Sequence, residues 1–133
     1  MLPKRLLENT NWHINDQRFS DNVEILLAGE FIYLSYPNVI DDHQNYTLLK
    51  YKTPRWFTAE DIFKCIYSYY NEPLTRDELE SYAIDRHNSL ATSCLRDSVT
   101  STRSEIIGNA RLIYIEFDRY EDNDVPVYRV VLN

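Results

Sequence analysis

Glycine, cysteine and long apolar runs are all scarce in this sequence of 133 residues. The only glycines, Gly29 and Gly108, lie far apart, which argues against phosphate-binding loops that place several glycines in one turn. No apolar stretch approaches the roughly 18 residues of a membrane span, and the N-terminus lacks the apolar core of a signal peptide. We therefore expect a soluble, intracellular protein without a membrane partner.

The cysteines carry no recognisable metal or redox motif. Cys65 and Cys94 match no metal-ligand spacing, and two thiols alone do not make the disulfide framework of a small secreted protein. His87 is the histidine nearest to Cys94, but the intervening helical residues would separate the two by about 10 Å, too far for a thiolate–imidazole pair. Both cysteines recur among apolar residues at helical spacing, so we predict that they belong to the core.

Charge and aromatic content limit the classes of partner. The net charge of −7 disfavours a protein that coats nucleic acid, because phosphate binding draws its affinity from lysine and arginine. The 11 tyrosines combine an apolar body with a polar tip, which suits interfaces and wet-edged cores. An apolar content of 44% is normal for a globular protein, and the length fits a single domain, 1–133.

The N-terminal third predicts an arm followed by short strands. Residues 1–22 are mostly polar and are interpreted as an arm or a short helix that packs on the body or on a partner. The apolar run 23–34 favours one strand bent at its glycine or two short strands, although a buried helix would give a similar pattern. Residues 35–45 contain proline, asparagine and aspartate and predict a loop, whereas 46–52 alternate as a strand.

Helix-start signals mark the centre of the chain. Thr58 is a candidate N-cap with acids in the first turn behind it, and apolar residues follow at helical spacing. Thr75 and Glu78 form the pattern of a capping box, in which each side chain bonds the other's backbone amide. Asp85 or Asn88 is expected to cap a third helix.

The remaining segment completes the predicted fold. Residues 99–110 are interpreted as a loop that leads into a β-hairpin at 111–132. Three helices within 57–98 followed by a hairpin are the outline of a winged helix. We therefore predict an α+β fold with a three-helix core, a winged-helix-like C-terminal β-hairpin and a short N-terminal β element at 23–52.

Aromatic residues supply the first functional hypothesis. The tyrosines are too numerous for every ring to be buried in a domain of this size, so some are expected to form a partner surface. The predicted partner-binding residues are Tyr51, Trp56, Tyr67 and Tyr70. With the acidic charge, they indicate a non-enzymatic protein–protein interaction module that binds a protein partner or itself.

Basic residues supply the alternative, a winged-helix nucleic-acid-binding regulatory protein. The run 46–57 is free of acids, and the polar face of the third helix is where a recognition helix would meet the major groove. The predicted nucleic-acid-binding residues are Lys50, Lys52, Arg55, Ser89, Thr92, Ser93 and Arg96. The hairpin argues against this alternative, because its acids would repel the backbone that a wing touches.

Carboxylate clusters suggest a third hypothesis, an enzyme. Strand alternation would put Glu116 and Asp118 on one face, where they could act together. Asp41, Asp42 and His43 offer metal-binding atoms but lack a second cluster at a suitable spacing. We interpret the first group as part of a charged hairpin tip that blocks edge aggregation, and the second as a solvated turn. We therefore predict no catalytic, metal-binding or cofactor-binding residue and no cofactor.

Several motifs within 57–132 carry a resemblance to known proteins. They are FTAEDIFKCIYSYYNEPLTRDELESYA, SEIIGNARLIYIEF and the closing VYRVVLN. In these motifs the chain resembles small uncharacterised proteins of nucleocytoplasmic large DNA viruses. The resemblance implies a viral setting, in the virion or the host cytoplasm, and brings no catalytic residues. It leads us to expect a virion-associated or assembly role.

Overall fold

The structure, a computed structural model, describes residues 2–19, 24–39 and 46–133 of the chain. The strands are β1 (Arg5–Leu6), β2 (Ile25–Ala28), β3 (Phe31–Pro37), β4 (Tyr46–Lys52), β5 (Trp56–Thr58), β6 (Leu112–Glu121) and β7 (Val125–Leu132). The helices are α1 (Ala59–Asn71), α2 (Arg76–Asp85), α3 (Ser89–Asp97) and α4 (Arg103–Ile107). The mixed α+β class predicted from the sequence is confirmed.

One sheet of five strands organises the fold, in the order β1-β6-β7-β3-β4. Neighbouring strands are antiparallel except β3 and β7, which run parallel. The strands β2 and β5 pair with each other in a separate small sheet. The C-terminal hairpin therefore lies inside the main sheet, with β1 on one side and β3 on the other.

This position distinguishes the hairpin from the wing that the sequence suggested. Ile115 of β6 and Tyr128 and Val130 of β7 are buried in the main core, because alternating apolar residues direct one face of the hairpin inward. The helices also differ from the expected three-helix core. Helix α1 packs on the sheet, whereas the closest helix–helix packing is between α2 and α3.

Helix α1 covers one face of the main sheet. Ile62, Ile66 and Tyr70 are fully buried and share a core cluster with Ile32 and Leu34 of β3. The helical spacing of the α1 residues and the alternate spacing of the β3 residues bring two apolar faces together. Each buried aliphatic side chain contributes about 1.5–3 kcal/mol to the free energy of unfolding.

The predicted helix starts are confirmed. Thr58 caps α1, where the Asp61 amide donates to the Thr58 hydroxyl and the Thr58 amide donates to the Asp61 carboxylate at 2.9 Å. Thr75 and Glu78 form the same reciprocal arrangement at the start of α2. Asn88, the second of the two predicted residues, caps α3.

The strand predictions are confirmed in outline and corrected at one boundary. The apolar run contains two short strands, and Gly29 between them has a φ of +129°, which favours glycine. Strand β4 has the predicted bounds. The predicted loop, however, starts too early, because β3 continues to Pro37, which lies opposite Tyr46 in the ladder. Tyr36 is fully buried in the core and holds this extra length of strand in place.

The described N-terminal segment, 2–19, is part of the core and contains no helix, so the short helix proposed as one possibility is absent from these residues. Trp12 and Ile14 are buried, and β1 pairs with β6. The Ile14 amide donates to the Ala110 carbonyl at 3.0 Å, and the Leu112 amide donates to the Trp12 carbonyl at 2.8 Å. Backbone hydrogen bonds therefore join the start of the chain to the C-terminal hairpin.

Helix α4 lies inside the segment that was expected to be a loop. Thr102 and Glu105 form a capping box, the same signal that identified the earlier helices. Arg103 is buried at its first turn, and its Nη1 donates to the Tyr69 carbonyl at 2.8 Å. The short helix thereby connects the end of α1 to the hairpin.

No helix in the described part of the chain is long and apolar enough to cross a membrane. The 13 residues of α1 extend about 20 Å, against a hydrocarbon thickness of about 30 Å.

Candidate binding surface

The face of the β3–β4 pair that points away from α1 carries lysines beside aromatic rings. Phe31 lies directly opposite Lys52, and Tyr33 lies opposite Lys50. Residues opposite one another in an antiparallel pair point to the same face, so these four form one patch, which we call the lysine–aromatic surface. The residues between them point the other way, into the core.

Each lysine of this surface lies near an aromatic ring. Lys50 Nζ is 4.7 Å from the ring centroid of Phe31 and 5.6 Å from that of Tyr33, and Lys52 Nζ is 5.7 Å from that of Phe31. The negative face of a ring attracts an ammonium group at such distances, by about 0.5–1 kcal/mol at an exposed site. Phe31 is 36% exposed, so a partner can reach the ring and both cations together.

Asp122, in the turn between β6 and β7, reaches the same surface. Its carboxylate accepts a hydrogen bond from the Tyr33 hydroxyl and pairs with Lys50 Nζ at 3.2 Å. These two contacts hold the pKa of Asp122 below its ordinary value, the tyrosine having the larger effect. Lys52 forms no ion pair with any residue in 2–19, 24–39 or 46–133. One cation of the surface is thus paired and the other is open to a partner.

Arg55 and Trp56 extend the basic, aromatic character beyond β4. The Arg55 guanidinium lies 5.8 Å from the Trp56 ring centroid, and Trp56 is 40% exposed. The run 46–57 contains three basic residues and no acid, in a chain of net charge −7. Such a patch attracts anionic groups.

The remaining residues predicted to contact nucleic acid lie on another element, α3. They are Ser89, Thr92, Ser93 and Arg96. Arg96 is exposed, and its guanidinium pairs with the neighbouring Asp97 at 3.2 Å. Because α3 packs on α2 while β4 pairs with β3, the structure brings Lys50 and Lys52 together and leaves the α3 set on a separate helix.

The aromatic residues predicted to bind a partner differ widely in exposure. Trp56 is exposed, whereas Tyr51 and Tyr67 are half-buried. The prediction that Tyr70 binds a partner is wrong. Its side chain has 0% exposure, and its hydroxyl donates to the Pro37 carbonyl at 2.7 Å. Its place on the inner face of α1 directs the ring into the core, so Tyr70 cannot form part of a partner surface in this structure.

The two half-buried tyrosines have internal contacts. The hydroxyls of Tyr51 and Tyr36 are 2.6 Å apart, and burial raises the pKa of Tyr51 to about 12. The Tyr67 hydroxyl accepts a hydrogen bond from Gln17 at 3.0 Å, and its ring packs edge-on against Phe19. Both residues therefore stabilise the fold from the edge of the core.

Glu116 and Asp118, the carboxylates considered as catalytic groups, are paired with arginines. Glu116 lies 2.8 Å from the Arg129 guanidinium and 3.4 Å from that of Arg5, and hydrogen bonding from Arg129 lowers the pKa of Glu116. The guanidinium of Arg119 pairs with the neighbouring Asp118 carboxylate at 2.5 Å, at a β-bulge in β6. A general acid at neutral pH needs a raised pKa, which is the opposite of the effect at Glu116.

The Cys65 thiol is not activated. Burial raises the pKa of Cys65 to about 12, and Cys94 is buried in the cluster between α2 and α3. A thiol with a raised pKa is protonated near neutral pH and is a poor nucleophile.

Metal ligands are not grouped in the described part of the chain. Among those residues, no cluster of three or more His, Cys, Asp or Glu side chains is arranged to hold a metal ion. Asp41, Asp42 and His43, which were considered as metal ligands, lie outside the described residues.

Sequence reasoning missed the role of Phe31 and the pairing of Tyr33 with Lys50. Both rings lie in the apolar run; the sequence indicates a strand at Phe31, and Tyr33 is one of the tyrosines of which some are expected to form a partner surface. Alternate residues of two paired strands lie against one another, so the contact would follow from a pairing of β3 with β4, but the sequence does not show which strand pairs with β4. The register could not be fixed from the sequence, since the intervening loop is long.

Comparison with known proteins identifies no relative. No protein-family model matches the chain, and neither the curated proteins nor the solved structures include a significant match.

Proposed function

We propose that the protein is a non-enzymatic binding module that holds a protein partner on its lysine–aromatic surface. The observation that carries the proposal is the arrangement of Lys50 and Lys52 over the exposed Phe31 ring, on the face of β3 and β4 that points away from α1. Aromatic residues and oriented cations together supply apolar contact and directional charge, the combination that dominates protein interfaces.

The chemistry of the candidate catalytic groups supports a binding role. Glu116 is held as a carboxylate by two arginines, and burial keeps Cys65 protonated. A carboxyl group that acts as a general acid at neutral pH needs a raised pKa, and a thiol nucleophile needs a lowered pKa.

A protein partner fits the charges around the surface better than a nucleic acid does. Asp122 already neutralises Lys50, and Glu121 and Asp124 lie in or beside the same turn. A continuous phosphate backbone would pass close to these carboxylates, whereas a peptide can place a carboxylate against Lys52 alone. The net charge of −7 adds to the repulsion of a polyanion.

The resemblance to proteins of large DNA viruses extends the proposal to a virion-associated or assembly role. An interaction module in that setting would bind a structural protein of the particle or an assembly factor in the host cytoplasm. Quantitative mass spectrometry of purified particles tests this extension, and enrichment of the chain with the capsid proteins is the expected result.

Site-specific photo-crosslinking tests the binding surface. A benzophenone amino acid replaces Phe31 in one variant and Ile84, an exposed residue of α2, in the other. We expect a discrete protein adduct from the Phe31 position only, and its loss when Lys50→Glu and Lys52→Glu are added. The control pair Lys4→Glu and Arg111→Glu changes the net charge equally at exposed sites elsewhere and should leave the adduct intact. Equal adducts from both positions, or an adduct insensitive to the lysines, would exclude this surface.

A nucleic-acid-binding protein is the second candidate, favoured by the exposed Thr92 and Arg96 on α3. In that case duplex DNA should bind with an affinity that falls steeply as salt is added. Arg96→Glu combined with Lys52→Glu should abolish the binding. Failure of the double variant to weaken DNA binding would remove this candidate.

A further inference from the structure

Strand β4 forms an edge of the main sheet, and its outer backbone groups can be assigned. The Thr53 amide donates to the Glu30 carbonyl at 2.8 Å, which makes these two residues a hydrogen-bonded pair. Hydrogen-bonded and non-bonded pairs alternate along an antiparallel ladder. The backbone groups of Leu48, Lys50 and Lys52 therefore point away from β3.

These outward groups have no strand partner in the described part of the chain, where β4 pairs with β3 alone. The edge spans Tyr46–Lys52, seven residues, which is long enough to template another strand. Unpaired amides and carbonyls in a row are the feature that strand-adding partners use, since main-chain hydrogen bonds supply the affinity.

The side chains of β4 define which strand would fit. Lys50 and Lys52 lie on the lysine–aromatic surface, whereas Leu49 and Tyr51 lie on the opposite face at the margin of the core. A strand laid beside β4 places its own alternate side chains about 4.5–5.5 Å from these residues. Acids on one face would meet the lysines, and apolar residues on the other would extend the core.

We propose that the β4 edge binds an extended segment of another protein in which acidic and apolar residues alternate. This inference rests on the proposed function and specifies its partner. The segment adds a sixth strand to the sheet. Its carboxylates pair with Lys52 and, in competition with Asp122, with Lys50, and its apolar side chains cover Leu49 and Tyr51.

A second copy of the chain fits this edge less well. Two β4 strands paired with each other would bring the Lys50 and Lys52 side chains of both copies onto one face. Like charges across a strand pair are destabilising, and edge lysines are a common means of preventing such self-association.

A designed peptide tests the inference. The probe is a short, capped, fluorescent peptide in which Glu and Val alternate, and its binding to the full chain is followed by fluorescence anisotropy. Two matched peptides serve as controls, one with Lys in place of Glu and one with N-methyl groups on alternate amides. We expect binding of the first peptide only, because the controls lose the charge match and the main-chain hydrogen bonds, respectively.

A pair of variants at one position separates strand addition from simple surface binding. Leu48→Pro removes an outward amide and is tolerated at a free edge, whereas Leu48→Ala keeps the amide. We expect Leu48→Pro to weaken peptide binding at least about tenfold, equivalent to about 1.4 kcal/mol, and Leu48→Ala to have little effect. Circular dichroism and thermal unfolding of both variants verify that the fold is kept.

Each other outcome is informative. Loss of binding in Lys50→Glu/Lys52→Glu with native binding in Leu48→Pro and to the N-methylated peptide would overturn strand addition and leave the proposed function standing. Native binding in all of these variants would overturn both. A dimer in sedimentation that Leu48→Pro dissociates would assign the edge to a second copy. Displacement of the peptide by single-stranded oligouridylate, with direct oligouridylate binding to the lysines, would assign the surface to nucleic acid and overturn the inference.

Discussion

Arg103 and Glu78 form a two-point ion pair that joins α4 to α2. The Arg103 Nε donates to one carboxylate oxygen at 3.0 Å, and its Nη2 donates to the other at 2.9 Å. The same guanidinium donates to Glu72 and lies 4.1 Å from the Tyr69 ring centroid. A planar group with several fixed donors is suited to this combination, which lysine cannot reproduce.

Replacement of Arg103 by Met should destabilise the fold. The side chain is only 8% exposed, and its removal takes the Arg103 donor from the Tyr69 carbonyl and leaves Glu78 with its contacts to Thr75. Because Glu72 and Glu78 are partly exposed, water recovers some of the lost interaction, and we expect a loss of about 2 kcal/mol in the free energy of unfolding. Urea denaturation monitored by circular dichroism measures the change.

Arg76→Met is the matched control for this prediction. Arg76 also pairs with a glutamate, Glu80 at 3.1 Å, but its side chain is 75% exposed. An exposed pair one helical turn apart contributes about 0.3–0.5 kcal/mol. Equal losses in the two variants would show that the burial of Arg103 carries no additional stability. Arg103→Lys should retain the charge and lose most of the stabilisation.

Alkaline pH should unfold the protein because its buried tyrosines resist ionisation. Burial raises the pKa of Tyr51 and that of Tyr82 to about 12, against about 10 in an unfolded chain. The folded state therefore binds the phenolic protons more tightly, and this stabilisation is present below about pH 10 and lost as the pH rises toward 12. Urea unfolding at a series of pH values from about 8 to 11.5 measures the loss.

A tyrosine variant tests whether ionisation of the buried tyrosines causes the loss of stability at alkaline pH. Tyr51→Phe removes one titrating group and should reduce the slope of stability against pH above pH 10, while lowering stability at neutral pH through loss of the Tyr36 contact. An unfolding free energy that stays constant through the alkaline range would contradict the prediction.

Cys65 should be protected from thiol reagents in the folded protein. With a pKa of about 12, its thiolate is scarce at pH 8, whereas an unfolded cysteine has a pKa near 8.5. We expect labelling by a chromogenic disulfide reagent to be at least about a hundredfold slower in native buffer than in urea. The variant Cys94→Ser leaves Cys65 as the single thiol, so the rate can be assigned to it. Rapid native labelling would indicate that the thiol is accessible and ionised.

Local signals were sufficient to predict α1, α2 and α3. Thr58 and Thr75 each form a capping box with the side chain three residues later. The signal for the helix start therefore lies within one helical turn of the sequence. The same signal at Thr102 identifies α4, but the five residues of that helix offer too short an apolar pattern to support it. Its position depends on Arg103, whose partners are distant in sequence and could not be predicted.

Strand partners were not predictable in the same way. The alternation of β4 indicates a strand. It does not show that β3 is the neighbour of this strand, or that the other edge of β4 lacks a strand partner. The hairpin β6–β7 was recognised from its own sequence, but its place between β1 and β3 depends on contacts with the first third of the chain. The lysine–aromatic surface follows from that pairing, and so the candidate site emerged only with the structure.

Asp122 should act as a competitor for the partner's carboxylates, and removing its charge should strengthen peptide binding. Asp122 has a φ of +48°, a conformation that asparagine also adopts readily, so Asp122→Asn preserves the turn and an acceptor for the Tyr33 hydroxyl. Lys50 is then released from its ion pair, which at this exposure contributes about 0–1 kcal/mol to stability. We expect affinity for the alternating Glu–Val peptide to rise several-fold with almost unchanged thermal stability.

Asp124→Asn removes the same charge from the same turn and should have a smaller effect, because Asp124 does not pair with Lys50. Equal gains in the two variants would indicate a general reduction of repulsion, and no gain in either would show that Lys50 does not contact the peptide.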